Sequence, residues 1–275
     1  MMKPTVHTAS TKVWRNGRMQ DGARAIPEET PVAISYNGST QAVMMATPAD
    51  LEDFAIGFSL SEGVVESRAQ IESLEIVPHD DGTELRMWLG GDVADKLQQR
   101  RRHIAGPTGC GLCGVDSIAE AVRPVAVVGE GRTFTPQQII AAIEAMPPLQ
   151  TLNVATRAVH AAAYYTPTQG IGALREDVGR HNALDKLAGA IARQDIDATD
   201  GIVLLTSRVS VEMVQKTAAI GATVLVAVSA PTALAVKMAE AAGITLAAIA
   251  RSDGFEIFTH PHRIDTHHKG AADVA

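Results

Sequence analysis

The stretch from Ile202 to Ala250 reads IVLLTSRVSVEMVQKTAAIGATVLVAVSAPTALAVKMAEAAGITLAAIA. Three short apolar runs in it alternate with two segments typical of helices, and Gly221 and Gly243 stand where those helices end. Strands separated by single helices are typical of βαβαβ units, whose parallel strands form a sheet covered on both faces. The stretch therefore predicts an α/β fold with strands at 202–206, 223–228 and 244–250.

The loops after these three strands carry polar side chains. They read Ser207-Arg208, Ser229-Ala230-Pro231 and Arg251-Ser252-Asp253-Gly254. Ligands on open α/β sheets bind outside the carboxyl ends of the strands, close to helix N-termini that favour anions. Hydroxyls and two arginines at one edge suit a phosphate or diphosphate, although simple caps and solvated arginines give the same pattern.

The first half of the chain predicts a smaller β-rich lobe with one helix. Asn37-Gly38, a strong hairpin signal, joins strands at 32–36 and 40–46, and two further strands are expected at 71–77 and 85–89. Thr47-Pro48 predicts the N-cap and first position of a helix that closes near Gly63. We expect a poorly ordered lead-in or an edge strand at 1–26, this lobe at 27–125, a larger lobe at 126–265 and a tail at 266–275.

Both cysteines of the chain lie in the segment GPTGCGLCG, residues 106–114. Its glycines allow close approach of the backbone to another molecule, and a helix expected at 115–122 would lower a thiol pKa at its N-terminus. A reactive thiol at Cys110 or Cys113 can accept sulfur as a persulfide and pass it on. A redox dithiol, half of a zinc site completed by His103 and another group, and two structural cysteines remain alternatives.

The segment from Arg175 to Lys186 is rich in charged residues. If it is helical, His181 and Asp185 lie four residues apart on one face, where they could orient each other beside a ligand cleft. The spacing alone favours a different interpretation, a well-capped helix start with solvent-facing ion pairs.

Composition excludes some classes of protein. The chain has 275 residues, 46% of them apolar, and a net charge of −7, so it lacks the basic field that binds nucleic acid. No apolar run is long enough to cross a bilayer, and residues 1–15 lack the features of a secretory signal. These observations predict a cytoplasmic protein without membrane insertion.

Several motifs together resemble the formate dehydrogenase accessory sulfurtransferase (FdhD) family. They are the cysteine segment, the segment from Arg175 to Lys186, and the runs VEMVQK (211–216), VAVSAPT (226–232) and PADLEDFAIGF (48–58). The matches occur in order from about residue 30 to residue 260. Their joint specificity is high, although no single motif decides the matter.

The resemblance implies an activity, a bound substrate and partners. A cysteine desulfurase would give its persulfide sulfur to Cys110, with Cys113 as a companion thiol. The sulfur would pass to the molybdenum or tungsten bis-guanine-dinucleotide cofactor of formate dehydrogenase, bound at Ile249, Ala250, Arg251, Ser252, Asp253 and Gly254. The resemblance also implies a homodimer. Arg208, Arg251 and Arg175 are candidates to offset the cofactor's charge, and no structural metal is expected.

The family resemblance further implies a fold similar to cytidine deaminases in the larger lobe. A deaminase needs a zinc triad and a glutamate two residues after its histidine, but Ala162 stands two residues after His160 and no Pro-Cys-x-x-Cys segment is present. Deamination is therefore not expected. Two alternatives to sulfur transfer remain, a chaperone that only holds the cofactor and a C-x-x-C dithiol oxidoreductase.

Overall fold

The computed structural model describes residues 4–94, 97 and 125–266 as a mixed α/β protein with several sheets. The strands are β1 (Val6–Arg15), β2 (Arg18–Pro27), β3 (Thr30–Tyr36), β4 (Ser39–Ala46), β5 (Ile71–Pro78), β6 (Thr83–Leu89), β7 (His160–Thr166), β8 (Gly170–Asp177), β9 (Ile202–Leu205), β10 (Val224–Ala227), β11 (Thr245–Arg251) and β12 (Gly254–Ile257). The longer helices are α1 (Leu51–Ser61), α2 (Pro136–Ala145), α3 (Thr151–Thr156), α4 (Arg180–Arg193), α5 (Val211–Ile220) and α6 (Ala233–Ala242).

The larger sheet has the strand order β12-β11-β10-β9-β7-β8. Strands β9, β10 and β11 pair in parallel, which confirms the predicted βαβαβ unit. Their side chains alternate between two apolar cores, with Val203 and Leu225 facing the helices α4, α5 and α6, and Leu204 and Val224 facing α2. Both faces of the sheet are therefore covered, as uninterrupted apolar strands require.

The smaller sheet has the order β4-β3-β6-β5 and packs against α1. Asn37 and Gly38 both have positive φ, 51° and 77°, which confirms the predicted hairpin turn between β3 and β4. The predicted helix cap is wrong: the N-cap of α1 is Asp50, in the left-handed region with φ 52°. The Thr47 hydroxyl instead accepts a hydrogen bond from the backbone N–H of Val178.

The opening segment forms strands, as one of the two interpretations allowed, and is not a poorly ordered lead-in. Residues 6–15 and 18–27 pair as an antiparallel hairpin, β1 and β2, over ten residue pairs. Its strands show no buried apolar face, so hydrophobic alternation gave no strand signal. The informative signal was Asn16-Gly17 at the turn, where both residues have positive φ.

The two sheets are joined where α1 crosses α4. A Cβ atom on Gly57 would lie 1.7 Å from the backbone oxygen of Asp185, and one on Gly189 would lie 1.9 Å from that of Asp53. Only glycine at both positions permits this approach of the two backbones. Within the described ranges, no helix is both long and apolar enough to span a membrane.

Candidate functional site

The loops that follow β9, β10 and β11 lie side by side at one edge of the larger sheet. The backbone N–H of Val209 donates to the oxygen of Ala230, and that of Ile249 donates to Ser229. The Arg251 guanidinium donates to the carbonyl oxygens of Val228 and Ala250, which ties the third loop to the second. The structure thus brings together the three loops that the sequence placed at one edge.

Residues 249–254, the predicted cofactor-binding stretch, form the end of β11 and the turn into β12. The pairing of these strands shifts register between Ala248 and Arg251, and Ile249 has φ 55° within the bulge. Ala250 is buried, whereas Arg251, Ser252 and Asp253 are exposed. The stretch therefore presents charged and hydroxyl side chains at the edge, with Ala250 anchoring it to the core.

Strand β8 ends at this same edge. It pairs antiparallel with β7, and β7 pairs antiparallel with β9, so β8 runs in the direction of β9. His160 at the start of β7 lies opposite Asp177 at the end of β8. The N-termini of α4 and α5, which follow β8 and β9, consequently point to the edge that carries the three loops.

Asp177, Asp185 and Lys186 of the charged segment 175–186 form buried ion pairs, so the interpretation as solvent-facing ion pairs is wrong for them. Asp177 and Lys186 are fully buried and paired at 2.6 Å, and the Lys186 ammonium also donates to the Thr47 carbonyl oxygen. Asp185 is buried too, and its carboxylate lies 2.9 Å from the Lys216 ammonium. These buried side chains therefore hold α4 against α1 and α5.

The spacing of His181 and Asp185 allowed them to orient each other, but the Asp185 carboxylate instead pairs with the Lys216 ammonium. The His181 ring lies close to Glu212 of α5, with His181 Nε2 and Glu212 Oε1 3.9 Å apart. Arg175 is likewise committed, because it donates to the buried carboxylate of Asp53 at 2.7 Å. Its charge therefore joins α1 to β8.

Four polar side chains at the N-termini of α4 and α5 form what we call the rim cluster: Arg180, His181, Ser210 and Glu212. Arg180 Nε, His181 Nε2, Ser210 Oγ and Glu212 Oε2 are all buried, and none has a hydrogen-bond partner within the described part of the chain. Buried polar atoms without partners are uncommon in folded proteins. The cluster was not predicted from the sequence, because its residues come from two separate motifs that only the packing of α4 and α5 brings together.

The charges of the rim cluster are set by burial and by neighbouring groups. Burial, reinforced by the positive charges of Arg180 and Lys216, lowers the pKa of His181 to about 4, so its ring is neutral at pH 7. Burial and Arg180 lower the pKa of His160 as well. Two neutral imidazoles thus lie beside a guanidinium.

Glu212 is the acid of the rim cluster. Burial raises the pKa of its carboxyl, but the Ser210 hydroxyl, its own backbone N–H and the nearby charges outweigh burial and hold that pKa below its usual value. The carboxylate is therefore ionised at neutral pH with one oxygen available to a donor.

Cys110 and Cys113, the predicted sulfur-carrying residues, lie outside the described residues, as does His103 of the alternative zinc site. Among the residues that are described, no group of three or more His, Cys, Asp or Glu side chains is arranged to hold a metal ion. The chemistry of the cysteine segment therefore stays a prediction from sequence.

Comparison with known proteins gives a consistent family. A sulfur carrier protein FdhD of Agrobacterium fabrum is 55% identical over 91% of this chain and 93% of its own. One of Cupriavidus necator is 48% identical over 95% of this chain and 91% of its own. The crystal structure of a candidate formate dehydrogenase accessory protein from Desulfotalea psychrophila matches with a TM-score of 0.78 and 25% identity, over 95% of this chain and 100% of that one.

The FdhD/NarQ family model matches residues 27–265. That range contains the cysteine segment, the charged segment 175–186 and all three strand-end loops. It also contains the whole rim cluster. The chain belongs to the FdhD/NarQ family.

Proposed function

We propose that this chain is a sulfur carrier for the maturation of formate dehydrogenase. In the first step the Cys110 thiolate attacks the outer sulfur of a persulfide on a cysteine desulfurase. A new S–S bond forms on Cys110, the donor's S–S bond breaks and the donor leaves as a thiolate, so no net oxidation occurs. Cys113 is the companion thiol that receives, relays or resolves that sulfur.

The acceptor in this proposal is the metal of a molybdenum or tungsten bis-guanine-dinucleotide cofactor bound as substrate at residues 249–254. On delivery the Cys113 thiolate attacks Cys110, a Cys110–Cys113 disulfide forms, the persulfide S–S bond breaks and the outer sulfur leaves at the sulfide level, so the two thiols supply the two electrons. The observation that carries the proposal is the convergence of three loops at one sheet edge in a chain of this family. Exposed Arg208 and Arg251 supply positive charge there, and hydroxyls of the same loops supply donors for phosphate oxygens. The names of the relatives support the sulfur-carrying role.

A second candidate function is a chaperone that holds the finished cofactor while its cysteines are only structural. The same strand-end edge would serve it, so the two functions differ only in chemistry at Cys110. A homodimer, with formate dehydrogenase and a cysteine desulfurase as partners, belongs to both proposals.

Intact-mass analysis after incubation with a cysteine desulfurase and cysteine separates the two. A carrier gains the mass of one sulfur, Cys110→Ala gains none, and a thiol reductant removes the added mass. Failure of the wild-type chain to gain sulfur, while it still co-purifies with guanine nucleotide, would leave only the chaperone.

The dithiol oxidoreductase is tested on the same preparations. It requires that the wild-type chain reduce the disulfides of insulin and that Cys110→Ala and Cys113→Ala each abolish this activity. Absence of disulfide reduction by the wild-type chain excludes it.

A further inference from the structure

The β1–β2 hairpin lies outside the apolar cores of the described residues. Neither strand has a buried side chain, and neither contributes to the three clusters of packed apolar side chains. Its base is held where β2 packs against α3, and there the Arg24 guanidinium donates to the carbonyl oxygen of Thr156. At 3.3 Å per residue, each strand is about 33 Å long. A two-stranded ribbon of this kind is marginally stable by itself, so we expect a partner to cover it.

The end of the hairpin beside its turn carries a tryptophan and a methionine. Trp14 and Met19 lie directly opposite each other across the ribbon, and therefore on the same face. They are 66% and 60% exposed. Tryptophan is among the residue types that most often supply the binding energy of a protein interface. The pair is therefore a candidate anchor for another molecule.

The charge of the hairpin is opposite to that of the rest of the chain. Residues 6–27 contain four basic side chains and one acid, a net charge of +3, against −7 for the whole chain, so the remaining residues carry −10. Arg15 and Arg18 lie directly opposite each other beside the turn. Asp21, the acid of the hairpin, pairs with Lys12. Like charges that face each other destabilise a ribbon, so the two arginines favour a partner that brings acids to this end.

Three kinds of surface carry negative charge. A nucleic acid or an anionic lipid surface would attract the arginines but would meet the charge of −10 on the remaining residues. A second copy of this chain carries that negative charge itself, and therefore attracts the hairpin. The twenty residues of the two strands also match the roughly 20 to 30 residues that each partner contributes to a stable protein–protein interface. Charge and size together favour the second copy.

We propose that the β1–β2 hairpin is an arm by which two copies of this chain join, with Trp14 and Met19 of each arm packed on the body of the other copy. The exchange is reciprocal, as in a twofold symmetric dimer, in which each copy gives one arm and receives one. The inference rests on the homodimer of the proposed function and names the surface that forms it. Arg15 and Arg18 then lie against acids of the other copy.

Sedimentation velocity on the full chain measures the dimer in the wild type and in two double variants. Trp14→Ala/Met19→Ala removes the apolar pair of the arm and should raise the dissociation constant of the dimer roughly hundredfold. Trp88→Ala/Met45→Ala is the matched control, since it removes a tryptophan and a methionine that are 46% and 44% exposed on the smaller sheet. The control should dissociate at the same concentration as the wild-type chain.

Fluorescence tests the burial of Trp14 directly. The chain has two tryptophans, Trp14 and Trp88, so the variant Trp88→Phe leaves Trp14 as the single indole. Its emission should move to shorter wavelength as the protein concentration rises, because the indole loses its contact with water in the dimer. The shift should follow the fraction of dimer that sedimentation measures.

Charge reversal provides a second variant that leaves the apolar pair in place. Arg15→Glu/Arg18→Glu should weaken the dimer roughly tenfold or more at low salt, because it places acids of the arm against acids of the other copy. The difference from the wild-type chain should become smaller at high salt, where exposed charges are screened.

The inference is overturned if the wild-type chain is a monomer, if its dimer persists in Trp14→Ala/Met19→Ala, or if Trp14 emission is the same in monomer and dimer. A monomer whose Trp14 emission shifts only with vesicles of phosphatidylcholine and phosphatidylserine would overturn it in favour of a lipid surface. Sulfur loading of Cys110 is measured separately. A monomer that accepts sulfur overturns the arm alone, whereas a dimer joined by the arms that accepts none overturns sulfur transfer alone.

Discussion

Gly57 and Gly189 face each other's helices at the crossing of α1 and α4, where each lies against the partner's backbone. A methyl group at either position would overlap a backbone carbonyl oxygen of the other helix. A helix backbone cannot move away from such an overlap as a flexible side chain can. The lobes therefore meet through main chain as well as side chains.

Gly57→Ala and Gly189→Ala should each lower the free energy of unfolding by about 3 kcal/mol, because the helices must move apart. Gly129→Ala is the control, since no atom lies within 4 Å of a Cβ built there. Urea denaturation of the three variants measures the difference. Equal midpoints for all three would show that the crossing tolerates a methyl group.

Lys186→Met should lower the free energy of unfolding by about 3 to 5 kcal/mol, because it leaves the Asp177 carboxylate buried without its cation. The double variant Asp177→Asn/Lys186→Met should recover part of that loss. Lys12 pairs with Asp21 on the exposed hairpin, and Lys12→Met should change stability by less than about 1 kcal/mol. Chemical denaturation measures the free energy of unfolding of both variants. A similar loss in Lys186→Met and Lys12→Met would show that burial does not strengthen the Asp177–Lys186 pair.

Stability should fall as pH drops below 7 because of His181. Its folded pKa is about 4 against an ordinary 6.5, so the unfolded chain binds the extra proton between these values. The stabilisation that comes from the neutral His181 ring is complete above pH 6.5. It is lost progressively down to pH 4, and the free energy of unfolding falls by roughly 2 kcal/mol between pH 7 and pH 5.

The His181→Gln variant isolates this effect, since glutamine does not titrate. Between pH 7 and pH 5 the free energy of unfolding of this variant should fall less than that of the wild-type chain, by roughly 2 kcal/mol. Identical pH profiles for the two proteins would show that His181 is not held neutral.

Arg208→Gln should weaken GDP binding roughly tenfold and reduce its dependence on salt, because an exposed guanidinium at the strand-end edge attracts the diphosphate. Arg68→Gln removes an exposed charge elsewhere and should leave binding unchanged. Calorimetric titrations at two salt concentrations measure both effects. An unchanged affinity in Arg208→Gln would place the diphosphate away from the first loop, which carries Arg208.

The parallel unit was predictable because Ile202–Leu205 and Val224–Ala227 are buried on both faces, which leaves an unmistakable apolar run in the sequence. The convergence of the loops after them follows from parallel pairing alone. The local sequence Thr135-Pro136 is likewise typical of a helix start, and the Thr135 hydroxyl caps α2.

The rim cluster and the buried ion pairs were not predictable in this way. Asp185 takes its partner from α5, 31 residues further along the chain, and Thr47 gives up a cap to bind Val178, 131 residues away. Such pairings depend on how helices pack, which local spacing does not encode. The four-residue spacing of His181 and Asp185 was real, but tertiary contacts assigned each a different partner.

The buried ion pairs also determine how the protein unfolds. Asp53, which belongs to the first sheet's helix, neutralises Arg175 and Arg193 of the second lobe, and Thr47 completes the shell of Lys186. Cutting the chain between the lobes would remove the Asp53 carboxylate from Arg175 and Arg193 and the Thr47 carbonyl oxygen from Lys186. Heating or denaturant should therefore melt both sheets in a single cooperative transition, and separately expressed halves should regain structure only when mixed.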